Sequence, residues 1–211
     1  MTLKFTMNST QNNLLFHTDE NAIDSSRTCF EGYYVYQSFF DVYMVEELSD
    51  NCCDLKETKV AEIAATFVDE NRCLNDGVDL FEAADIIDQD IASAFEILFY
   101  RSRKYKQVSE DAAAVPLVSC YLDRLYVLPE HRNKGIGTYL LDNLADIFEV
   151  HVNRCVRAII TYPAPFHMSE EVVNDADREK MLKTMKRHLK KAGYKEFGNT
   201  NYFIHACTVK K

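Results

Sequence analysis

The sequence predicts an α/β fold with a mixed sheet, on three observations. From residue 118 onward the chain reads strand, helix, strand, helix, strand, strand. Strand-helix-strand order gives neighbouring parallel strands joined by a right-handed crossover. Residues 30 to 48 are dense in Tyr, Phe and Val, a composition that suits strands. Between these parts, residues 80 to 100 repeat apolar side chains at helical spacing. A length of 211 residues suits one domain, 1–211.

The elements follow in order. Residues 1 to 28 are polar at the centre and read as short strands or turns. The first strong strand signal carries Tyr33, Tyr34, Val35, Tyr36, Phe39, Phe40, Val42, Tyr43 and Val45. Ser49-Asp50-Asn51 is a turn, and residues 58 to 68 return as a strand marked by Val60, Ile63, Ala65 and Phe67. Asn75-Asp76-Gly77 is a turn. Asp79 then stands as an N-cap with Glu82 three residues on, a capping-box pattern. Leu80, Ala83, Ala84, Ile87, Ile91, Ala94, Phe95 and Leu98 make one amphipathic helix of roughly 80 to 100. Its other face holds Glu82, Asp85, Asp88 and Asp90. That face is either simply solvated or a wall that attracts a cationic substrate.

From Val118 to Val127 a strand runs with Tyr121, Leu122, Leu125 and Val127 as apolar markers, and Pro129 ends it. Residues 137 to 149 form a helix whose apolar face is Leu140, Leu141, Leu144, Ile147 and Phe148. Cys155 to Tyr162 is a buried strand, stopped by Pro163 and Pro165. Residues 174 to 192 are helical, with Gly193 placed for a left-handed C-cap. Lys195–Phe197 and Tyr202–Thr208 pair as a hairpin over Gly198-Asn199-Thr200-Asn201.

Composition narrows the function. Net charge is -9 with pI near 5.2, a poor match to nucleic acid, which needs a Lys/Arg face. The seven cysteines are odd in number and contain no C-x-x-C. They read as reduced thiols of a cytoplasmic protein, with no metal site. The chain opens without a run apolar enough for export, and no window approaches the ~18 apolar residues of a membrane span.

The chemistry lies in Leu125-Tyr126-Val127-Leu128-Pro129-Glu130-His131-Arg132-Asn133-Lys134-Gly135-Ile136-Gly137-Thr138. A strand ends at proline, basic residues follow, and two glycines open a helix. Free amides at a helix N-terminus attract anions, and glycine lets a phosphate approach the backbone. Arg132 and Lys134 add full charge, so a pyrophosphate is the natural ligand. Leu140 breaks the dinucleotide pattern G-x-G-x-x-G, and the Walker loop pattern also fails.

This string resembles motif A of the GNAT superfamily of acyl-CoA-dependent N-acyltransferases, Arg/Gln-x-x-Gly-x-Gly/Ala, here Arg132-Asn133-Lys134-Gly135-Ile136-Gly137. The strand at 155 to 162, the helix ending Lys-Lys-Ala-Gly-Tyr and the final hairpin also follow that family's order, so the resemblance covers about 115 to 207. It implies a mostly antiparallel central sheet, splayed at the cofactor site and flanked by helices. Residues 69–114 then form a helical insertion that shapes the acceptor pocket. It also implies that the backbone of Leu125, Tyr126 and Val127 pairs with the pantetheine arm. The amides of Arg132, Asn133, Lys134, Gly135, Ile136, Gly137 and Thr138 would hold the pyrophosphate. The expected reaction moves an acetyl group from acetyl-CoA to an amine in a ternary complex. The expected partners are a small-molecule or peptide amine and a second copy in a homodimer, without nucleic acid or membrane.

An amine is mostly protonated at neutral pH, so a base must take its proton, and the leaving thiolate benefits from an acid. A backbone N–H near Val127 would stabilise the oxyanion. Asp123, two residues before Leu125, is the candidate base, or else a strand charge paired with Arg124. His131 and Arg132 fit phosphate binding and not proton transfer. Tyr162, at the end of the splayed strand, is a packing residue, a lid or a proton donor. The family's usual acid is a tyrosine four residues before the glycine of the Gly-Tyr ending, and that position here is Leu189. His188 is adjacent, but one step on a helix is about 100° of rotation, which would face it elsewhere.

Overall fold

A computed structural model describes residues 2–4, 34–47, 55–85, 89–101, 117–164 and 175–207. The strands are β1 (Thr2–Lys4), β2 (Val35–Glu47), β3 (Leu55–Asp69), β4 (Leu117–Val127), β5 (Cys155–Thr161), β6 (Lys195–Glu196) and β7 (Phe203–Ala206). The helices are α1 (Glu70–Asp76), α2 (Leu80–Asp85), α3 (Gln89–Glu96), α4 (Ile136–Val152) and α5 (Asp175–Lys191). The strands form one seven-stranded sheet in the order β1-β2-β3-β4-β5-β7-β6. Only β4 and β5 pair in parallel, joined by the α4 crossover, and every other described pair is antiparallel. The fold is therefore mixed α/β with a mostly antiparallel sheet between helices.

Alternation along the strands decides which side chains meet which helices. Tyr36, Phe67 and Cys120 share one face, which packs on Leu140, Leu144 and Phe148 of α4. Val35, Val68, Tyr121 and Ile160 point the other way, onto Cys73, Ala84, Ile91, Phe95 and Leu98. Burying a side chain of this kind stabilises the fold by roughly 1.5–3 kcal/mol, and both faces of the sheet are covered.

On the second face the described residues of the expected 80 to 100 segment are helical. Asp79 does cap, its Oδ1 accepting from the amides of Phe81 at 2.8 Å and Glu82 at 3.1 Å. Helices α2 and α3 stand on either side of residues 86–88, and the run after Glu96 widens into a π-helix over Ile97–Arg101. Ile87 and Asp88 of the expected stripe and acidic face lie outside the described residues. Helix α1 stands where only a turn was expected. Asp69 caps it by accepting from the Arg72 amide at 3.1 Å, and Gly77 closes it with φ 68°. Asn75-Asp76-Gly77 is thus the end of a helix. A buried ion pair pins α1 to the sheet: Arg157 on β5 meets Glu70 at 3.1 Å, and the Ser119 hydroxyl donates to the same carboxylate.

The chain's other ends match their sequence signals more closely. Gly193 takes φ 81°, its amide donates to Lys190 and the Tyr194 amide reaches back to Leu189, a left-handed helix closure. β6 and β7 pair as the expected hairpin.

Burial holds the His151 side chain below its ordinary pKa of 6.5, and burial does the same to His205. Each histidine binds fewer protons folded than unfolded. Stability is then complete above the unfolded pKa and declines as pH falls through and below it. The melting temperature should drop between about pH 7.5 and about pH 5.5, and His151→Gln with His205→Gln should flatten that slope. A slope identical in the double variant would remove these two histidines from the account.

Candidate functional site

The parallel pairing of β4 with β5 runs from Leu117↔Cys155 to Tyr121↔Ile160 and then stops. One residue beyond the last pair, the Thr161 hydroxyl donates to the Leu122 carbonyl at 2.9 Å. Beyond it β4 continues to Val127, paired only with β3 on its other edge. The register against β3 slips between Ala64 and Ala65, which leaves Asp123 as the extra residue of a bulge. The Leu128 amide donates to Val60 on β3, so alternation turns the N–H and C=O of Leu125 and Val127 to the open edge. An exposed row of peptide groups of this kind accepts an extended ligand as if it were another strand.

Past β4, Pro129–His131 makes one 3-10 turn, Asn133 takes φ 60° and Gly135 φ 82°, and α4 begins. Gly135 is the N-cap of α4 and no side chain caps that end. The 17-residue helix therefore presents its first amides and the positive end of its dipole at the foot of the opened strand. These groups fit a pyrophosphate. A Cβ on Gly135 would meet nothing within 4 Å, so the space beside this turn is open. His131 is buried with its Nδ1 lacking a hydrogen-bond partner among the described residues.

Both features line a single cavity of about 710 Å³, closed on its far side by α5. Leu125, Tyr126, Val127, Arg132, Asn133, Gly135, Ile136, Gly137 and Thr138 all reach it, as do Asp123, Tyr162, His188 and Leu189. Lys134 is exposed and does not line it. Arg132 turns back on the strand: its Nε donates to the Val127 carbonyl at 3.0 Å and its guanidinium lies 5.2 Å from the Tyr126 ring centroid. One edge carbonyl is thus already engaged, and Arg132 stiffens the loop as well as charging it.

The expectation that His188 faces away is corrected. Its Nδ1 lies 3.3 Å from the Thr138 hydroxyl, across the mouth between α4 and α5. Leu189 touches the same cavity but is 6% exposed and packed into the core cluster. These two neighbours, about 100° apart on α5, both line the cavity. Asp123 accepts from the Thr66 hydroxyl at 3.0 Å, while the Arg124 guanidinium faces Glu62 at 3.8 Å. Tyr162 is half-exposed and packs edge-on against Tyr202, centroids 5.3 Å apart.

Sequence reasoning missed Phe39, Ala64, Met181, Thr184 and Met185, which also line the cavity. The α5 residues had a signal, since 181, 184, 185 and 188 share one helical face. Phe39 and Ala64 reach the site through sheet register, which no local pattern reveals. The residues of α1–α3 contribute nothing to the lining; α3 comes near the rim where the Asp90 carbonyl accepts from Tyr202.

Gly135 offers a direct test. A side chain at positive φ costs roughly 1–2 kcal/mol, and at Gly135 that strain falls on the turn that sets the first amides of α4. If these amides hold a CoA pyrophosphate, Gly135→Val should weaken acetyl-CoA binding about ten- to hundredfold, the worth of an ionic hydrogen bond. Gly198 has φ 54° with equally open space, so Gly198→Val is the strain control and should lower the melting temperature without changing affinity. Equal affinity in folded Gly135→Val would remove the amides from cofactor binding.

The family model described as acetyltransferase (GNAT) domain matches residues 88–174. No curated protein matches the sequence. Among solved structures, one described as the KacTA-DNA complex is 11% identical, with 81% of this chain and 67% of that chain covered and a TM-score of 0.38. A Drosophila melanogaster polyamine N acetyltransferase is 12% identical, with 80% and 74% covered and a TM-score of 0.34.

Proposed function

We propose, for a chain that carries a GNAT acetyltransferase domain, transfer of an acetyl group from acetyl-CoA to an amine by direct attack in a ternary complex. The observation that carries this reading is the junction of an unpaired β4 edge with an uncapped, glycine-led helix, both inside one cavity. Acetyl-CoA supplies the activated acyl group. Leu125 and Val127 offer peptide groups to its amide-bearing arm, and the amides from Gly135 to Thr138 meet its phosphates. An N–H on the open edge of β4 is aimed where the thioester oxygen gains charge. Asp123, held by Thr66, accepts the ammonium proton directly or through one water. His188 stands on the cofactor side and holds a proton for the departing sulfur.

Calorimetric titration with acetyl-CoA tests the binding half, and thiol release with a panel of amines tests the transfer. Saturable binding with amine-dependent thiol release is expected. Absence of binding would sink the reading. A second reading, a module that binds acyl-CoA without turnover, is favoured by Leu189 at the family's acid position. Binding with no thiol release from any amine would decide for it.

A further inference from the structure

The cavity is lined from both faces of the sheet. Phe40, Ile63 and Leu125 share the face that carries α4, while their neighbours Phe39, Ala64 and Arg124 are paired on the opposite face. The α4 and α5 side holds the helix N-terminus and His188. The opposite side is where Asp123 meets Thr66. That second half is lined by Phe39, Ala64, Arg124, Tyr162 and Pro163, with Asp123 as the sole carboxylate lining the cavity among the described residues. Two other acids on this face are already countered. Lys59 binds Asp41 at 2.7 Å and Glu62 at 2.8 Å, and Glu62 also faces Arg124.

From this distribution we infer that the acceptor is a primary amine with one positive charge on an apolar, flat body, and not a polyamine; the inference rests on the transferase reading above. One ammonium meets Asp123. A second ammonium on the same molecule meets the Arg124 guanidinium or apolar wall, and an unpartnered charge against either is costly. An aromatic body instead has Phe39 and the half-exposed Tyr162 to contact. Among the described residues, the acids behind the net charge of -9 supply only Asp123 to this half of the cavity.

The test compares thiol release from 2-phenylethylamine, propylamine and spermidine in the full chain. The aromatic monoamine should exceed spermidine in kcat/KM by at least about tenfold, as a mispaired charge in a fitted pocket predicts. Arg124→Glu should narrow or reverse that ratio. Phe39→Ala should raise KM for 2-phenylethylamine more than for propylamine. Spermidine preferred by the unaltered chain, or equal effects of Phe39→Ala on both monoamines, would overturn the inference alone. If acetyl-CoA binds but no amine releases thiol, transfer itself fails. The acceptor class is then judged by titrating 2-phenylethylamine into the CoA complex, where saturable binding tighter than that of spermidine supports it and no saturation overturns it.

Discussion

Asp123→Asn is expected to lower kcat/KM by about 10²- to 10⁴-fold near neutral pH, the usual contribution of a positioned base. The amide has the same shape and still accepts from the Thr66 hydroxyl, which donates at 3.0 Å to the native carboxylate. Fold and acetyl-CoA affinity should therefore be unchanged. The chemistry gives the loss a signature. An alkyl ammonium titrates near the lysine value of about 10.4, so each unit of pH up to that value supplies about tenfold more free amine. The variant should recover activity steeply with pH while the native protein gains less. Thr66→Val should give a milder loss with the same pH behaviour, because it loosens Asp123 without removing it. Activity within a few-fold of native in Asp123→Asn would make Asp123 a component of the bulge and no base.

Much of this site is local in sequence, which is why it was legible. The Arg-x-x-Gly-x-Gly string, the strand before it and the helix after it are consecutive, and the structure puts that strand edge and that helix start together in one cavity. The Lys134 side chain does not line the cavity, because charge in a motif does not fix direction. It follows Asn133, at φ 60°, and is turned to solvent. Phe39 and Ala64 were invisible because their place depends on pairing across three strands, with one slip at Asp123. The stripe from Leu80 to Leu98 was legible by its helical period, and the described residues on either side of 86–88 are helical, widening to a π-helix only from Ile97. Helix α1 was hidden because Asn75-Asp76-Gly77 carries turn chemistry whether the turn stands alone or ends a helix.

His188 and Leu189 show where family position and actual geometry separate. The family's acid would stand at Leu189, which is buried in the core cluster and has no proton to give. His188 does reach the cavity, and its Nδ1 is fixed by Thr138 in the first turn of α4. To act as an acid the ring must be the imidazolium, whose Nδ1–H donates to the Thr138 hydroxyl oxygen while the Nε2 proton is the one given to the sulfur. A thiolate with the pKa of an ordinary thiol, about 8.5, leaves with limited help. The expected loss in His188→Ala is therefore at the low end of acid catalysis, about 10²-fold in kcat, with little change in acetyl-CoA affinity. Tyr162→Phe should change kcat by less than about twofold, the scale of a surface substitution, since Tyr162 packs on Tyr202 at the acceptor rim. Leu189→Tyr placed on His188→Ala should recover part of the rate by restoring a hydroxyl at the family's position. Rates unchanged in His188→Ala would mean unassisted thiolate departure. A loss in Tyr162→Phe equal to that expected for His188→Ala would move the acid to the other side of the sheet.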